Sequence, residues 1–242
     1  MNQEKKPVRI IHTSDIHLGD YGLVNNVSLE IRSQRALEAM TNLCIQGEVS
    51  MVIFAGDLFD HNRVDTAIVE SALGELRKMP VPVLILPGNH DCLVEDSVYR
   101  RPYFSQLAPN ITVFTAQQGE RFSFPELDLA VWGKPITSHD GGCRPMAGIP
   151  PRGSERWQIA VAHGYYVTDW TEQIYSYQIT EEEIVQSHQD YVALGHSTVF
   201  RCVCDSPVKA CYSGSASLSG AAVIIDLHPE AGVHTYCQQL PL

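Results

Sequence analysis

Five apolar runs in this chain each end in side chains that can bind a divalent cation. Ile10 and Ile11 lead into Asp15 and His17. The run 51–55 leads into Asp57 and Asp60, and 83–86 leads into Asn89, His90 and Asp91. The runs 158–162 and 191–195 lead into His163 and His196. Carboxylate and imidazole together suit manganese, iron or zinc. Taken singly, each stretch has another explanation: Gly56-Asp57 and Gly88-Asn89 are turn chemistry, and a histidine at a strand end can simply satisfy hydrogen bonds. Taken jointly, the five point to one dinuclear centre. Two ions about 3.5–4 Å apart clamp the attacking and leaving oxygens of a phosphoryl displacement. Asp57 can give an oxygen to each ion and is the expected bridge. Asp15 and His17 complete one ion; Asn89, His163 and His196 complete the other. A water held between the ions would lose its proton near neutral pH, since coordination lowers its pKa to about 7. His90, beside a ligand in sequence, is free to act as general acid on the leaving oxygen, with Asp60 orienting it and raising its pKa.

These groups need strands to deliver them. VRIIH (8–12) reads as the first strand. A helix is predicted over 28–46 from the spacing of Ile31, Leu37, Met40, Leu43 and Cys44, with Gly47 as its stop. MVIFA (51–55) is a strand buried on both faces. A second helix fits 65–78, with Asp65 as N-cap, Ile68, Ala72 and Leu76 on one face, and Pro80 beyond its end. VLIL (83–86) is the third buried strand. This alternation reads as α/β with ligands at the carboxyl ends of the strands. The second half predicts strands at 111–115, 129–133, 158–162, 191–195, 199–204, 208–213, 221–227 and 233–237. A Gly- and Pro-rich surface loop spans 134–156. Thr180 and Glu183 form a capping box that opens a helix over 181–188. No repeat or linker interrupts the chain. One domain over 1–242 is the simplest reading, a mixed two-sheet core flanked by helices.

Composition narrows the class. The chain has 242 residues, 44% hydrophobic and 19% charged, which is ordinary for a globular protein. No stretch approaches the length of a membrane span. The N-terminal MNQEKKPVRII is basic, but its apolar run is too short for a signal peptide, so a soluble, cytoplasmic protein is expected. The net charge of −11 and the lack of a Lys/Arg run weigh against tight non-specific DNA binding. Seven cysteines cannot all pair internally. Cys202 and Cys204, with Cys211 nearby, lack zinc-site spacing and read as reduced residues sharing one strand face.

The blocks DIH, GDLFD, GNHD, a lone His-Gly and a late GH, spread over residues 15–196, resemble the calcineurin-like metallophosphoesterase family. The wording HTSDIHLGD, GDLFDHNRV, LPGNHD and YVALGH is most similar to the branch of SbcD-type DNA repair exonucleases. The resemblance implies a four-layer αββα sandwich and two divalent ions, Mn²⁺ foremost and Fe or Zn as alternatives. It also implies phosphodiester hydrolysis by a metal-bridging hydroxide. The same roles follow for Asp15, His17, Asp57, Asn89, His90, His163 and His196. DNA or a nucleotide is the implied substrate, and an ATPase is the implied partner. Two departures stand out. The family's last block is usually Gly-His-x-His, but here it is Gly195-His196-Ser197-Thr198, and Thr198 is a poor ligand, so the first ion is expected to bind more weakly. No separate capping region is expected either. Two rivals stay open: a phosphomonoesterase or small-nucleotide phosphodiesterase, and a weakly active regulatory module, which Thr198 motivates. Arg63, His61, and Arg100 and Arg101 beside Tyr99 and Tyr103 are weaker substrate candidates. His12, His139, His188, His228 and His234 read as structural or exposed.

Overall fold

Strands with continuous apolar runs bury both faces, and here they assemble two six-stranded sheets packed against each other. The computed structural model describes residues 7–47, 49–140, 142–171 and 177–242; the basic N-terminal stretch 1–6 lies outside them. In chain order come β1 (Val8–Thr13), the hairpin β2 (Leu23–Val24) and β3 (Val27–Ser28), α1 (Leu29–Gln46), β4 (Met51–Ala55), α2 (Thr66–Lys78), β5 (Val83–Leu86) and β6 (Ile111–Val113). There follow β7 (Glu120–Phe124), β8 (Leu129–Gly133), β9 (Trp157–His163), β10 (Tyr165–Val167), β11 (Gln178–Thr180), α3 (Glu181–Gln186), β12 (Tyr191–Gly195), β13 (Phe200–Cys204), β14 (Lys209–Ser213), β15 (Ala221–His228) and β16 (Gly232–Gln239).

One sheet has the order β16-β15-β1-β4-β5-β6 and the other β13-β14-β12-β9-β8-β7. Strands β1, β4, β5 and β6 run parallel, as do β8, β9, β12 and β14; β15 and β16, β13, and β7 join these two sheets through antiparallel pairings. Alternation sorts the side chains. Ile10, Ile53 and Leu84 meet Val131, Ile159 and Tyr191 between the sheets. Ile11, Val52, Phe54 and Ile85 turn outward under Leu37 and Met40 of α1 and Val69, Leu73 and Leu76 of α2. Each such side chain, fully buried, contributes roughly 1.5–3 kcal/mol of transfer free energy. On the far side, Ala160, Val192 and Leu194 pack under Ile179, Ile184 and Met146. The four-layer order is therefore present. Its fourth layer is thin, made by six-residue α3, the β10-β11 pair and part of the loop after β8.

Several expectations are corrected by packing. Asp65 sits at the N-cap of α2 without a side-chain cap bond. Ile31, expected on the core face, is 44% exposed, because the buried stripe of α1 runs through Leu29, Ser33, Ala36, Leu37 and Met40 and Ile31 lies off it. The loop 134–156 is no simple surface segment, since Ile136 and Met146 are buried. The strand β7 escaped notice because its ERFSF pairs at an edge with only partly buried rings. Cysteines 202 and 204 do not share a face. A register shift between them sends Cys202 toward the inter-sheet core and Cys204 to the outer cluster. Cys202 lies directly opposite Cys211 on β14 and is disulfide-bonded to it, so these two are not reduced thiols. The capping box holds: Thr180 Oγ1 accepts from Glu183 N–H at 3.2 Å, and Thr180 N–H donates to Glu183 Oε2 at 2.9 Å.

Candidate metal centre

The carboxyl ends of β1, β4, β5, β9 and β12 meet at one edge of the sandwich. His163, the last residue of β9, is wholly buried, and its Nδ1 lies 2.8 Å from the Ala55 carbonyl oxygen. A carbonyl only accepts, so Nδ1 carries the proton and the neutral ring turns a bare Nε2 into the site. That Nε2 faces Asn89 Oδ1 at 2.9 Å, Asp57 Oδ2 at 3.2 Å and His196 Nδ1 at 3.3 Å. Asn89 Oδ1 is also 2.9 Å from His196 Nδ1. Of these, the bare His163 Nε2, Asn89 Oδ1 and Asp57 Oδ2 are all acceptors, which repel at such distances unless positive charge sits among them. In the free protein a proton on His163 can serve. Burial would lower its pKa, but the Asp57 carboxylate outweighs burial and lifts it to about 9. Conversely, burial opposes ionisation of Asp57, yet the His163 charge beside it holds that carboxylate well below its usual range. The separations match those between neighbouring ligands bound to an ion at about 2.0–2.2 Å. The residues therefore fit a divalent cation.

A second donor set shares Asp57. One ligand atom each from Asp15, His17 and Asp57 lie within 4.8 Å of one another. His17 Nε2 is 3.9 Å from Asp15 Oδ1, and its Nδ1 is 3.2 Å from Asp60 Oδ1. A carboxylate behind an imidazole fixes its tautomer and raises its basicity. Burial lowers the His17 pKa, but the Asp60 hydrogen bond and the neighbouring carboxylates raise it on balance.

Asp60 was expected to orient His90. Its carboxylate stands 3.5 Å from His90 Nδ1 but nearer to His17, and the closest partner of His90 Nδ1 is the Asp60 backbone carbonyl at 2.8 Å. Asp60 thus steadies both rings, whose centroids are 4.6 Å apart. The His90 side chain is 44% exposed, at the mouth of the site, while its backbone N–H donates to Asp57 Oδ1 at 3.0 Å.

The backbone is bent to gather these groups. Asp15, His17, Asp57 and His196 have φ of 53°, 52°, 55° and 100°, a region that non-glycine residues seldom occupy and that clusters at functional sites. Two glycines permit the close approach. A Cβ on Gly88 would stand 2.1 Å from Asp57 Oδ1, and one on Gly195 would stand 1.8 Å from the Ala55 carbonyl oxygen.

The supports were not foreseen from sequence. Asp91 is buried and accepts from Gly88 N–H at 2.7 Å, Phe59 N–H at 3.1 Å and Tyr99 O–H at 2.5 Å, tying the GDLFD loop to the GNHD loop. Its place in GNHD was visible; its partners were not. Asp15 Oδ2 accepts from Ser14 Oγ and from His196 N–H at 3.0 Å. Ser215 Oγ donates to the Asp15 carbonyl at 2.6 Å, and Ser213 Oγ lies 2.9 Å from Ser14 Oγ. Ser213 and Ser215 belong to YSGSASLSG (212–220), the end of β14 and the link to β15.

Thr198 is exposed, and its carbonyl accepts from Ser215 N–H at 3.1 Å. Arg101 donates to the carbonyls of Asn62 and Val64, Arg100 to that of Val94, and Tyr99 is buried, so these hold loops together. Tyr103 packs against the α1–α2 core. Arg63 is exposed, and His61 Nδ1 accepts from its N–H. Among the remaining histidines, His12 is buried, His139 covers Cys92, His188 is exposed, and His228 and His234 stack on each other.

Fold and site together define a phosphoester hydrolase, and the comparisons agree. Residues 8–232 match the calcineurin-like phosphoesterases. The chain belongs to that family, whose members are metal-dependent hydrolases. It is 29% identical over 133 residues to the DNA double-strand break repair protein Mre11 of Methanopyrus kandleri, a match that takes in 48% of this chain and 29% of that one; the chain thus spans under a third of that relative's length. Among solved structures, a novel archaeal phosphodiesterase superposes with a TM-score of 0.51 at 13% identity, covering 96% of this chain and 100% of that one. A purple acid phosphatase from yellow lupin seeds superposes at 0.63 with 12% identity, covering 97% of this chain and 52% of that one. These two likenesses establish the fold alone. No helix among the described residues is long and apolar enough to cross a membrane.

Proposed function

We propose that this chain hydrolyses phosphodiester bonds in the manner of an exonuclease-like enzyme, with DNA ends as the first substrate to test. The carrying observation is the convergence of Asp57, Asn89, His163 and His196 donor atoms at 2.9–3.3 Å, with His90 at the mouth. In this reading Asp15, His17, Asp57, Asn89, His163 and His196 hold two divalent ions, manganese first among them. Bound there, the ions supply charge against the phosphoryl oxygens and a nucleophilic water near neutral pH.

The chain's own residues do the rest. Asp57 belongs to both donor sets and would serve either ion. Asn89, a neutral ligand, adds an oxygen without adding charge. The Asp60 carbonyl accepts the His90 Nδ1 proton, which leaves Nε2 as the atom that hands a proton to the leaving oxygen. The Asp60 carboxylate stands 3.5 Å from the same Nδ1. Water and a diester become a monoester and an alcohol, and His90 supplies the alcohol's proton. The likeness to Mre11 supports a diester over a monoester.

The test is hydrolysis of bis(p-nitrophenyl) phosphate beside p-nitrophenyl phosphate, with Mn²⁺ and with chelator. Diester cleavage that needs Mn²⁺ and disappears in Asp57→Asn is the expected result. His90→Ala is expected to lower kcat by about 10²–10⁴-fold, the usual contribution of a general acid. Preference for the monoester would overturn the diester reading in favour of a phosphatase.

A further inference from the structure

The two donor sets are built unequally. We infer that this chain binds one divalent ion tightly at Asp57, Asn89, His163 and His196 and a second weakly at Asp15, His17 and the shared Asp57, so that free metal sets how much protein carries both. The inference rests on the metal-dependent reading proposed above.

The inner set brings four donor atoms within 2.9–3.3 Å of their neighbours, and its central ligand His163 is wholly buried. Little has to move for an ion to be held there. The outer set has two unshared donors, His17 Nε2 and Asp15 Oδ1, standing 3.9 Å apart. Its oxygens are partly committed. Asp15 Oδ2 already accepts from Ser14 Oγ and His196 N–H, and Asp57 Oδ1 already accepts from His90 N–H. Two carboxylates attract a cation more strongly than one, which favours the outer position. Against this, among the described residues the outer set counts only Asp15, His17 and the shared Asp57, and its two unshared donor atoms stand farther apart and must draw together.

The geometry also locates where a further donor would enter. Ser215 binds the Asp15 carbonyl through its Oγ and the Thr198 carbonyl through its N–H. Thr198 therefore sits against the Asp15 side of the centre, two residues past the inner ligand His196. Its own side chain is exposed.

The experiment counts metal. The full chain is loaded with excess Mn²⁺ and passed through a desalting column, and Mn per chain is measured. Electron paramagnetic resonance then follows addition of free Mn²⁺. One ion per chain is expected to survive desalting, with an uncoupled six-line signal. The second ion is expected to appear only while free Mn²⁺ is present, as a spin-coupled signal. Thr198→His is expected to double the retained metal, and Thr198→Ala to leave it at one. His163→Gln is expected to lose the retained ion, while Asp15→Asn keeps it. The last pair carries the test even if Thr198→His fails to fold. Two ions retained by the parent protein would overturn the inference, as would loss of the retained ion in Asp15→Asn. No Mn²⁺ bound at any concentration would instead overturn the metal-dependent reading itself.

Discussion

The Ala55 carbonyl oxygen accepts the His163 Nδ1 proton at 2.8 Å, and this one bond decides which nitrogen of that imidazole faces the candidate metal centre. The consequence is a proton that competes with metal. The folded pKa of His163 is about 9 against an ordinary 6.5, because the Asp57 carboxylate outweighs burial. A raised histidine pKa stabilises the fold fully below pH 6.5, and that stability fades as pH climbs through about 9. Metal must displace the same proton. In chelator, Tm is therefore expected to fall between pH 6.5 and 9, and apparent Mn²⁺ affinity to rise about tenfold per pH unit over that window. Melts and Mn²⁺ titrations across pH 6.5–9.5 check both, and His163→Gln should flatten both. A pH-independent affinity would contradict the shared-proton account.

His12 has the opposite sign. It lies between the sheets, 3.0 Å from the Tyr191 hydroxyl, and burial pushes its pKa down to about 3. A depressed histidine pKa leaves stability intact above 6.5 and removes it as pH falls towards 3. At about 1.4 kcal/mol per pH unit, roughly 2 kcal/mol is lost by pH 5. His12→Phe gives up the Tyr191 bond, about 1 kcal/mol, but cannot be protonated. It should melt below the parent protein at pH 7.5 and close or reverse that gap at pH 5.

Asp91 holds three buried donors at once. Asp91→Ala leaves all of them unpaired, and a loss of about 3–5 kcal/mol in urea unfolding is expected. Tyr99→Phe removes one donor and keeps the others, so about 1–2 kcal/mol is expected. Equal losses for both variants would show that the carboxylate is not the hub.

Gly88→Ala adds a methyl group 2.1 Å from Asp57 Oδ1 and 2.6 Å from Asp57 N. Both atoms belong to Asp57, the candidate shared ligand, so the displacement falls on the candidate metal centre. Loss of retained Mn²⁺ and of diester hydrolysis is expected. Gly74→Ala is the control: nothing lies within 4 Å of the added Cβ, and the helix should gain stability, by up to about 1 kcal/mol.

The Cys202–Cys211 disulfide joins β13 to β14 across nine residues. Closing a loop of that size is worth roughly 2–3 kcal/mol. Reductant should lower the Tm of the parent protein and leave that of Cys202→Ser/Cys211→Ser unchanged. Thiol counting on unfolded, unreduced protein should find five free cysteines, the number left outside the disulfide.

Read alone, the sequence determined the two long helices, most of the strands (though not the short or edge ones such as β7, β10 and β11) and the kinds of atom that reach the candidate site. Those follow from local patterns: a continuous apolar run such as 51–55 can only be buried, and the turn after it must carry polar groups. The candidate pattern of Asp15, His17, Asp57, Asn89, His163 and His196 was legible for the same reason, since each stands at or within a few residues of the end of its strand. Tertiary structure alone decided the rest, because the deciding partners are far apart in the chain. The tautomer of His163 depends on Ala55, 108 residues earlier. The setting of Asp15 depends on Ser215, 200 residues later. The division of Asp60 between His17 and His90 depends on where two loops meet. Cys202 and Cys204 parted because a register shift in β13 broke the two-residue alternation that sequence spacing assumes. Spacing along a chain specifies direction within one element; distance between elements is set by how their faces pack.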